Sequence, residues 1–99
     1  MKPFALTQKS KADLKEIAKF TIKRWGREQR NFYLKQFDDT FYLLSKRPEL
    51  GKSCDEIRDG YRKSPQGSHV IFFKYSKNNR IQIVRILHKS MDVETHFGT

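Results

Sequence analysis

Four side chains in the second half of the chain are of the types that RNA cleavage requires: Arg62, Lys63, Arg85 and His88. A histidine can transfer a proton near neutral pH, while arginine and lysine can stabilise the phosphorane that forms when a 2′-hydroxyl attacks phosphate. The spacing offers no second acid–base group after the last predicted strand except Asp92, which lies in a predicted turn. We therefore favour a structural interpretation, in which Arg85 pairs with an acidic group and His88 ends a strand, half-buried and hydrogen-bonded.

The residues that bind metal ions and nucleotides are poorly represented. His69, His88, His96 and Cys54 include no closely spaced pair except His88 and His96, so the spacing predicts no metal site. The glycines are isolated, so we expect no phosphate-binding loop and no cofactor. Cys54 is the only cysteine, which excludes an intrachain disulfide and fits a reducing compartment.

The composition predicts one basic domain, spanning residues 1–99. Lysine and arginine number 21 against 11 aspartates and glutamates, a net charge of +10, and 36% of residues are hydrophobic, enough for a single core. Such charge is typical of proteins that bind nucleic acid, acidic proteins or anionic membranes, although a solvated basic surface is the alternative. The sequence contains neither a signal-peptide pattern nor an 18-residue apolar run, so we expect a soluble cytoplasmic protein with no membrane partner.

Two amphipathic helices are predicted in the first half of the chain. The first begins at Thr7 or at the Ser10-Lys-Ala-Asp13 spacing and ends at Gly26; the second runs from Arg27 until Pro48 interrupts it. The apolar positions of the first helix are Leu14, Ile17, Ala18, Thr21 and Trp25, and those of the second include Phe37, Phe41 and Leu44. A lysine stripe, Lys11, Lys15, Lys19 and Lys23, follows another face of the first helix, where Glu16 can pair with Lys19 or Lys23.

Two apolar runs, residues 69–75 and 80–88, predict a buried hairpin in an antiparallel meander with turns at 65–68 and 77–80. Strict alternation places Ile81, Ile83, Arg85 and Leu87 on one face and Gln82, Val84, Ile86 and His88 on the other. Because a guanidinium is rarely buried without a partner, we expect the Arg85 face to be a binding groove rather than a second core. The tail from Val93 to Thr99 has no periodic pattern and is expected to be mobile.

Three motifs carry a resemblance to a known family. They are Gly60-Tyr-Arg-x-x-Pro65-x-Gly-x-His-Val-Ile-Phe72, Ile83-Val-Arg-Ile-Leu-His88 and Lys89-Ser-Met-Asp92. Together with the Trp25-Gly26 break and Arg47-Pro48-Glu-Leu-Gly51, they make nearly the whole chain resemble the ParE branch of the RelE/ParE toxins. The resemblance implies an α+β fold with a short N-terminal strand and an antiparallel helical hairpin packed on an antiparallel β-sheet meander.

The resemblance also implies the toxin of a bacterial type II toxin–antitoxin pair, neutralised by a small ParD-like antitoxin. ParE members are described as poisoning DNA gyrase, whereas RelE members are ribosome-dependent ribonucleases that use basic residues with a carboxy-terminal tyrosine or histidine pair. This chain has no tyrosine after Tyr75, which favours a non-enzymatic gyrase poison that traps the cleaved gyrase–DNA complex. The alternatives are an mRNA endoribonuclease of RelE type and a basic nucleic-acid-binding module without a toxin role.

Two sets of residues are candidates for recognition. We expect an acidic antitoxin segment to bind a groove formed by Tyr61, Arg62, Phe72, Arg80 and Arg85. The candidate residues for contact with gyrase are Arg62, Arg85, His88, Lys89, Met91 and Asp92. Operator DNA is expected to be bound only through the complex with the antitoxin.

Overall fold

A five-stranded sheet is covered on one face by two long helices. The computed structural model describes residues 2–77 and 79–97. The elements are β1 (Phe4–Leu6), α1 (Gln8–Trp25), α2 (Arg27–Lys46), a 3₁₀ turn (Pro48–Leu50), β2 (Lys52–Ser53), β3 (Tyr61–Gln66), β4 (His69–Tyr75), β5 (Ile81–His88) and α3 (Val93–Phe97). The strand order is β1-β5-β4-β3-β2; β1 is parallel to β5, and the other neighbours are antiparallel. The predicted fold class is therefore confirmed.

Thr7 fixes the start of α1, and Gly26 fixes the boundary between α1 and α2. Thr7 is the N-cap of α1, because its Oγ1 accepts a hydrogen bond from the Ser10 backbone N–H at 3.1 Å, so the alternative start at Ser10 is wrong. The Thr7 hydroxyl also donates to the Val84 carbonyl at 2.8 Å, which fixes the start of α1 beside β5. Gly26 separates the helices at a φ of 97°, a conformation that a side chain would disfavour.

The main core lies between the helices and the sheet. Its buried members are Phe4, Ile17, Phe37, Phe41, Leu44, Ile71, Phe73, Ile81, Ile83 and Ile86. The predicted apolar face of α2 is confirmed, since Phe37, Phe41 and Leu44 are all buried. Trp25 departs from the prediction for α1, because its position next to Gly26 leaves 64% of the side chain exposed.

A β-bulge in β5 changes which side chains share a face. Phe72 pairs with Arg85 but Phe73 pairs with Ile83, so one extra residue is inserted in β5 at Val84. As a result, Ile83 and Ile86 join the same core cluster, while Leu87 belongs to another. The strict alternation predicted along this strand is therefore wrong.

A second core lies on the face where an open groove was expected. Cys54, Phe72 and Leu87 are buried there, and the Phe97 ring of α3 lies 4.9 Å from the Phe72 ring and 5.6 Å from the Tyr61 ring. The expectation of a groove in place of a second core is wrong, because the C-terminal helix covers this face. The expectation of a mobile tail is wrong for Val93–Phe97; Gly98 and Thr99 lie outside the described residues.

The connections differ from the prediction in detail. β3 continues through Gln66, so the first turn comprises only Gly67 and Ser68. The second turn includes Asn78, which lies outside the described residues. The short edge strand β2 was not predicted, because two exposed residues carry no strand pattern.

Candidate functional site

An apolar groove of about 560 Å³ runs between α1, the start of α2, the β3–β4 turn and the end of β5. Its lining residues are Glu16, Ile17, Phe20, Thr21, Trp25, Gln29, Tyr33, Gly67, Ser68, His69, His88, Ser90 and Met91. Three large apolar side chains along it are exposed: Phe20 and Trp25 by 64% each, and Met91 by 44%. Single exposed apolar residues are ordinary, but several along one groove are typical of an interaction site.

Two histidines and a tyrosine meet at the side of this groove. His69 on β4 and His88 on β5 are cross-strand neighbours whose ring centroids lie 5.3 Å apart. The Tyr33 hydroxyl lies 2.8 Å from His69 Nδ1, and it also donates to the Gln66 carbonyl at 3.2 Å. Burial lowers the pKa of His69 and raises the pKa of Tyr33. The pairing of β4 with β5 and the packing of α2 therefore assemble titratable groups that lie far apart in the sequence.

The groove contains side chains that can transfer a proton, but its lining, as far as the structure describes it, lacks the cationic side chains that would bind a phosphate. Glu16 is its one charged lining residue, and no lysine or arginine is found among the described residues that line it. Phosphoryl transfer depends on cationic groups that stabilise the developing charge. The lining is thus better suited to apolar side chains of another protein than to a phosphodiester.

Arg85 and His88 take the roles of the structural interpretation. Arg85 Nε and Nη2 lie 2.8 and 2.9 Å from the two carboxylate oxygens of Asp13, and Nη1 donates to the His96 carbonyl at 3.0 Å. The hydrogen bonds to Asp13 raise the pKa of Arg85 against the effect of burial. His88 is the last residue of β5, half-buried, with Nδ1 2.7 Å from Ser90 Oγ. Both features of that interpretation are confirmed.

The other cations and apolar residues of the predicted antitoxin groove are also engaged within the chain. Arg62 Nε donates to the Pro48 and Gly51 carbonyls at 3.1 and 3.2 Å. Arg80 Nη2 donates to the Phe4 carbonyl of β1 at 3.4 Å, and β1 is the edge strand opposite to β2. Phe72 is only 2% exposed. The five residues Tyr61, Arg62, Phe72, Arg80 and Arg85 therefore do not line a single open groove.

Comparison with known proteins gives the family. Residues 4–93 match the family described as ParE toxin of type II toxin-antitoxin system, parDE. The chain belongs to the ParE toxin family. As a ParE-type toxin it is one half of a toxin–antitoxin system, which implies an antitoxin partner.

Similar ParE proteins come from several bacteria. Toxin ParE1 of Caulobacter vibrioides is 37% identical over 98 residues, covering 99% of this chain and 100% of that protein. Toxin ParE1 of Mycobacterium tuberculosis is 38% identical over 91 residues, covering 92% of this chain and 93% of that protein. A chain of the chromosomal ParDE TA system from P. aeruginosa has a TM-score of 0.73 at 22% identity, covering 89% of this chain and 96% of that chain, and supports the fold alone.

The residues predicted to contact the target of this ParE toxin fall into two groups. His88, Lys89, Met91 and Asp92 lie within one five-residue segment, and the Met91 N–H donates to the His88 carbonyl at 2.9 Å to close the turn after β5. His88 and Met91 also line the groove. Arg62 and Arg85, by contrast, are half-buried and bonded within the fold.

His69, Tyr33, Phe20 and Trp25 were missed as site residues of this ParE chain. The sequence carried a weak signal, because His69 and His88 stand at opposite ends of the two strongest strand patterns and so become neighbours in a hairpin. Within residues 2–77 and 79–97, no three histidine, cysteine or acidic residues are grouped to hold a metal. In the same part of the chain, no helix is long and apolar enough to span a bilayer.

Proposed function

We propose that this ParE toxin inhibits DNA gyrase by trapping the cleaved gyrase–DNA complex, which blocks replication in the cytoplasm. The proposal rests on the family match over residues 4–93. Gyrase is the target that resemblance to the ParE branch implies. Under this proposal the toxin acts by binding and catalyses no reaction of its own. Its effect depends on affinity for one state of the gyrase–DNA complex over others.

The contacts of the cationic side chains support binding over RNA cleavage. Arg85, the arginine nearest to His88 in sequence, is held by Asp13 and by the His96 carbonyl. His88 Nδ1 is occupied by Ser90, whose backbone N–H donates to it at 3.2 Å. A ribonuclease would need such groups free to stabilise phosphate and to move a proton.

We propose the turn after β5 as the part that contacts gyrase. Lys89 and Met91 are exposed there, and Asp92 follows them. Arg62 and Arg85 are bonded within the fold, so we assign them to its stability. A supercoiling assay with purified gyrase tests the proposal: a molar excess of toxin should abolish supercoiling, and the double variant Lys89→Ala/Met91→Ala should require about tenfold more protein. Supercoiling that continues unchanged at a molar excess of wild-type toxin would contradict gyrase as the target.

We propose that a ParD-like antitoxin neutralises the toxin by filling the groove beside α1. The exposed side chains of Phe20, Trp25 and Met91 offer apolar anchors, and the net charge of +10 would attract an acidic segment. A segment seated there would cover Met91 and His88, which belong to the proposed gyrase contact. Neutralisation would thus be steric.

The residues first predicted for the antitoxin contribute differently under this proposal. Tyr61, Arg62 and Arg80 keep part of their surface exposed, so an acidic antitoxin segment can contact them as it continues past the groove. Phe72 is 2% exposed, and the Arg85 side chain is 14% exposed. We therefore assign both residues to supporting the fold. Operator DNA would be bound through the antitoxin in the complex.

A ribosome-dependent mRNA endoribonuclease is the second candidate, and the Tyr33–His69–His88 group is the arrangement that favours it. One imidazole could accept the proton of a 2′-hydroxyl while the other protonates the leaving 5′-oxygen. Primer extension on translated transcripts from arrested cells distinguishes the candidates. Codon-aligned cuts that disappear in His88→Ala would support the ribonuclease, whereas intact transcripts in arrested cells would contradict it.

A further inference from the structure

Some basic side chains of the chain hold the fold, whereas others are exposed at the surface. Arg62, Arg80 and Arg85 donate to carbonyl or carboxylate oxygens of other elements. The stripe lysines of α1, Lys11, Lys15, Lys19 and Lys23, are instead all exposed. Four exposed lysines therefore follow one face of a single helix at regular four-residue steps, where an external partner can reach them.

The stripe is a continuous ridge. A four-residue step rises about 6 Å along an α-helix, so the four ammonium groups extend over about 18 Å. The buried residues of α1, Ser10, Ile17 and Thr21, occupy roughly the opposite side of the helix, which turns the stripe away from the core. Its position thus leaves the lysines accessible to a large, rigid partner.

The acidic residues of α1 do little to neutralise the stripe. Asp13 is bound by Arg85, and Glu16 reaches only Lys19, at 3.7 Å with both side chains largely exposed. Lys11, Lys15 and Lys23 belong to none of the ion pairs formed among the described residues. An exposed pair at such a distance contributes little free energy, so Lys19 can also turn to an external anion.

We propose that the lysine stripe of α1 binds the phosphate backbone of duplex DNA without regard to sequence. Duplex DNA carries one charge per about 1.7 Å of axis when both strands are counted, so a segment as long as the ridge of about 18 Å carries about ten phosphates, an extended array that a smaller anion cannot match. Lysine contacts to phosphate position a protein and carry no sequence information. The inference rests on the proposed function, in which the toxin meets DNA already held by gyrase, and it assigns α1 to that DNA.

Salt-dependent binding of the full chain to a fluorescein-labelled duplex of about 20 base pairs tests the stripe without gyrase. The double variant Lys15→Gln/Lys23→Gln is compared with Lys52→Gln/Lys77→Gln, which removes the same charge from β2 and the β4–β5 turn. The slope of log K against log salt should become shallower by about 1.8 in the stripe variant, or about 0.9 for each phosphate that a lysine no longer neutralises. It should change by less than about 0.5 in the control, because those lysines would bind no phosphate.

Three results would overturn the inference. If the slope of log K against log salt changes equally in the two double variants, DNA binding depends on the overall basic surface and not on the stripe. No binding of wild-type protein to DNA at about 50 mM salt would remove DNA as the partner. Clearly tighter binding to duplex RNA of the same length would assign the stripe to an RNA target. Because gyrase is absent, failure here leaves the supercoiling result unaffected, and failure of that assay leaves DNA binding by the stripe intact.

Discussion

Asp13 of α1 and Arg85 of β5 form a two-point ion pair, with Nε–Oδ2 and Nη2–Oδ1 distances of 2.8 and 2.9 Å. The same carboxylate accepts a hydrogen bond from the Ile86 backbone N–H at 2.9 Å. Each side chain is 14% exposed. The pair joins the first helix to the last strand, so Arg85 stabilises the fold and is not free to bind a partner.

Replacing Asp13 by alanine should therefore destabilise the chain strongly. The change leaves a largely buried guanidinium and the Ile86 N–H without their acceptor, and breaking such a pair costs about 3–5 kcal/mol. Chemical denaturation of Asp13→Ala measures the loss. Asp39→Ala is the control, because its pair with Lys35 is exposed and should contribute less than about 0.5 kcal/mol. Similar losses in both variants would argue against a structural role for the Asp13–Arg85 pair.

The neutral form of His69 should make folding sensitive to mild acid. Burial lowers its pKa, the nearby His88 lowers it further, and Asp13 acts in the opposite direction. Between the lowered pKa and the ordinary value of 6.5, the unfolded chain binds more protons, so stability decreases as pH falls through this range. The free energy of unfolding should drop less in His69→Asn, which keeps a polar side chain near Tyr33, than in wild type between about pH 7.5 and about pH 5. An unchanged pH dependence in His69→Asn would exclude His69 as the cause.

Truncation of Phe97 should test the second core. Its ring packs on Tyr61 and Phe72, and removal of a half-buried phenyl group should reduce the free energy of unfolding by about 1–3 kcal/mol. Phe32→Ala is the matched control, because that ring is 58% exposed and its loss should cost less than about 0.5 kcal/mol. If Phe97→Ala is as stable as wild type, α3 does not cover this face in solution.

Antitoxin affinity should depend on the groove beside α1. Trp25→Ala removes the largest exposed anchor and should weaken binding of a ParD-like antitoxin by at least tenfold, measured by calorimetry. Phe32→Ala serves as control, because Phe32 is exposed to a similar extent and is not among the groove-lining residues. Full affinity of Trp25→Ala together with a loss in Arg62→Ala would place the antitoxin on the sheet face first predicted from the sequence.

The helices were predictable because their constraints are local. The apolar spacing of Phe37, Phe41 and Leu44 and the break at Gly26 depend only on helical period and backbone freedom. The strand faces were not, because the bulge at Val84 arises from pairing with β4 and leaves no mark in the alternation of β5. One such residue was enough to exchange the expected faces of Ile86 and Leu87.

Prediction of the site was limited by tertiary contacts. The need of Arg85 for an acidic partner was recognised, but the sequence could not show that Asp13, 72 positions away, supplies it within the chain. The pairing of His69 with His88 and the position of Tyr33 likewise require the strand register and the helix packing. The net charge and the family resemblance indicated an anionic partner. They did not indicate which lysine and arginine side chains are bonded within the fold and which are exposed to that partner.

A cleavage assay with purified gyrase and plasmid DNA distinguishes a gyrase poison from a toxin that acts on another target. The toxin is added with and without a ParD-like antitoxin, and the DNA is analysed after protein denaturation. Linear DNA covalently linked to gyrase should accumulate with toxin alone and should be absent when antitoxin is present. Intact gyrase activity and no linear DNA at a molar excess of active, folded toxin would contradict the gyrase-poison mechanism.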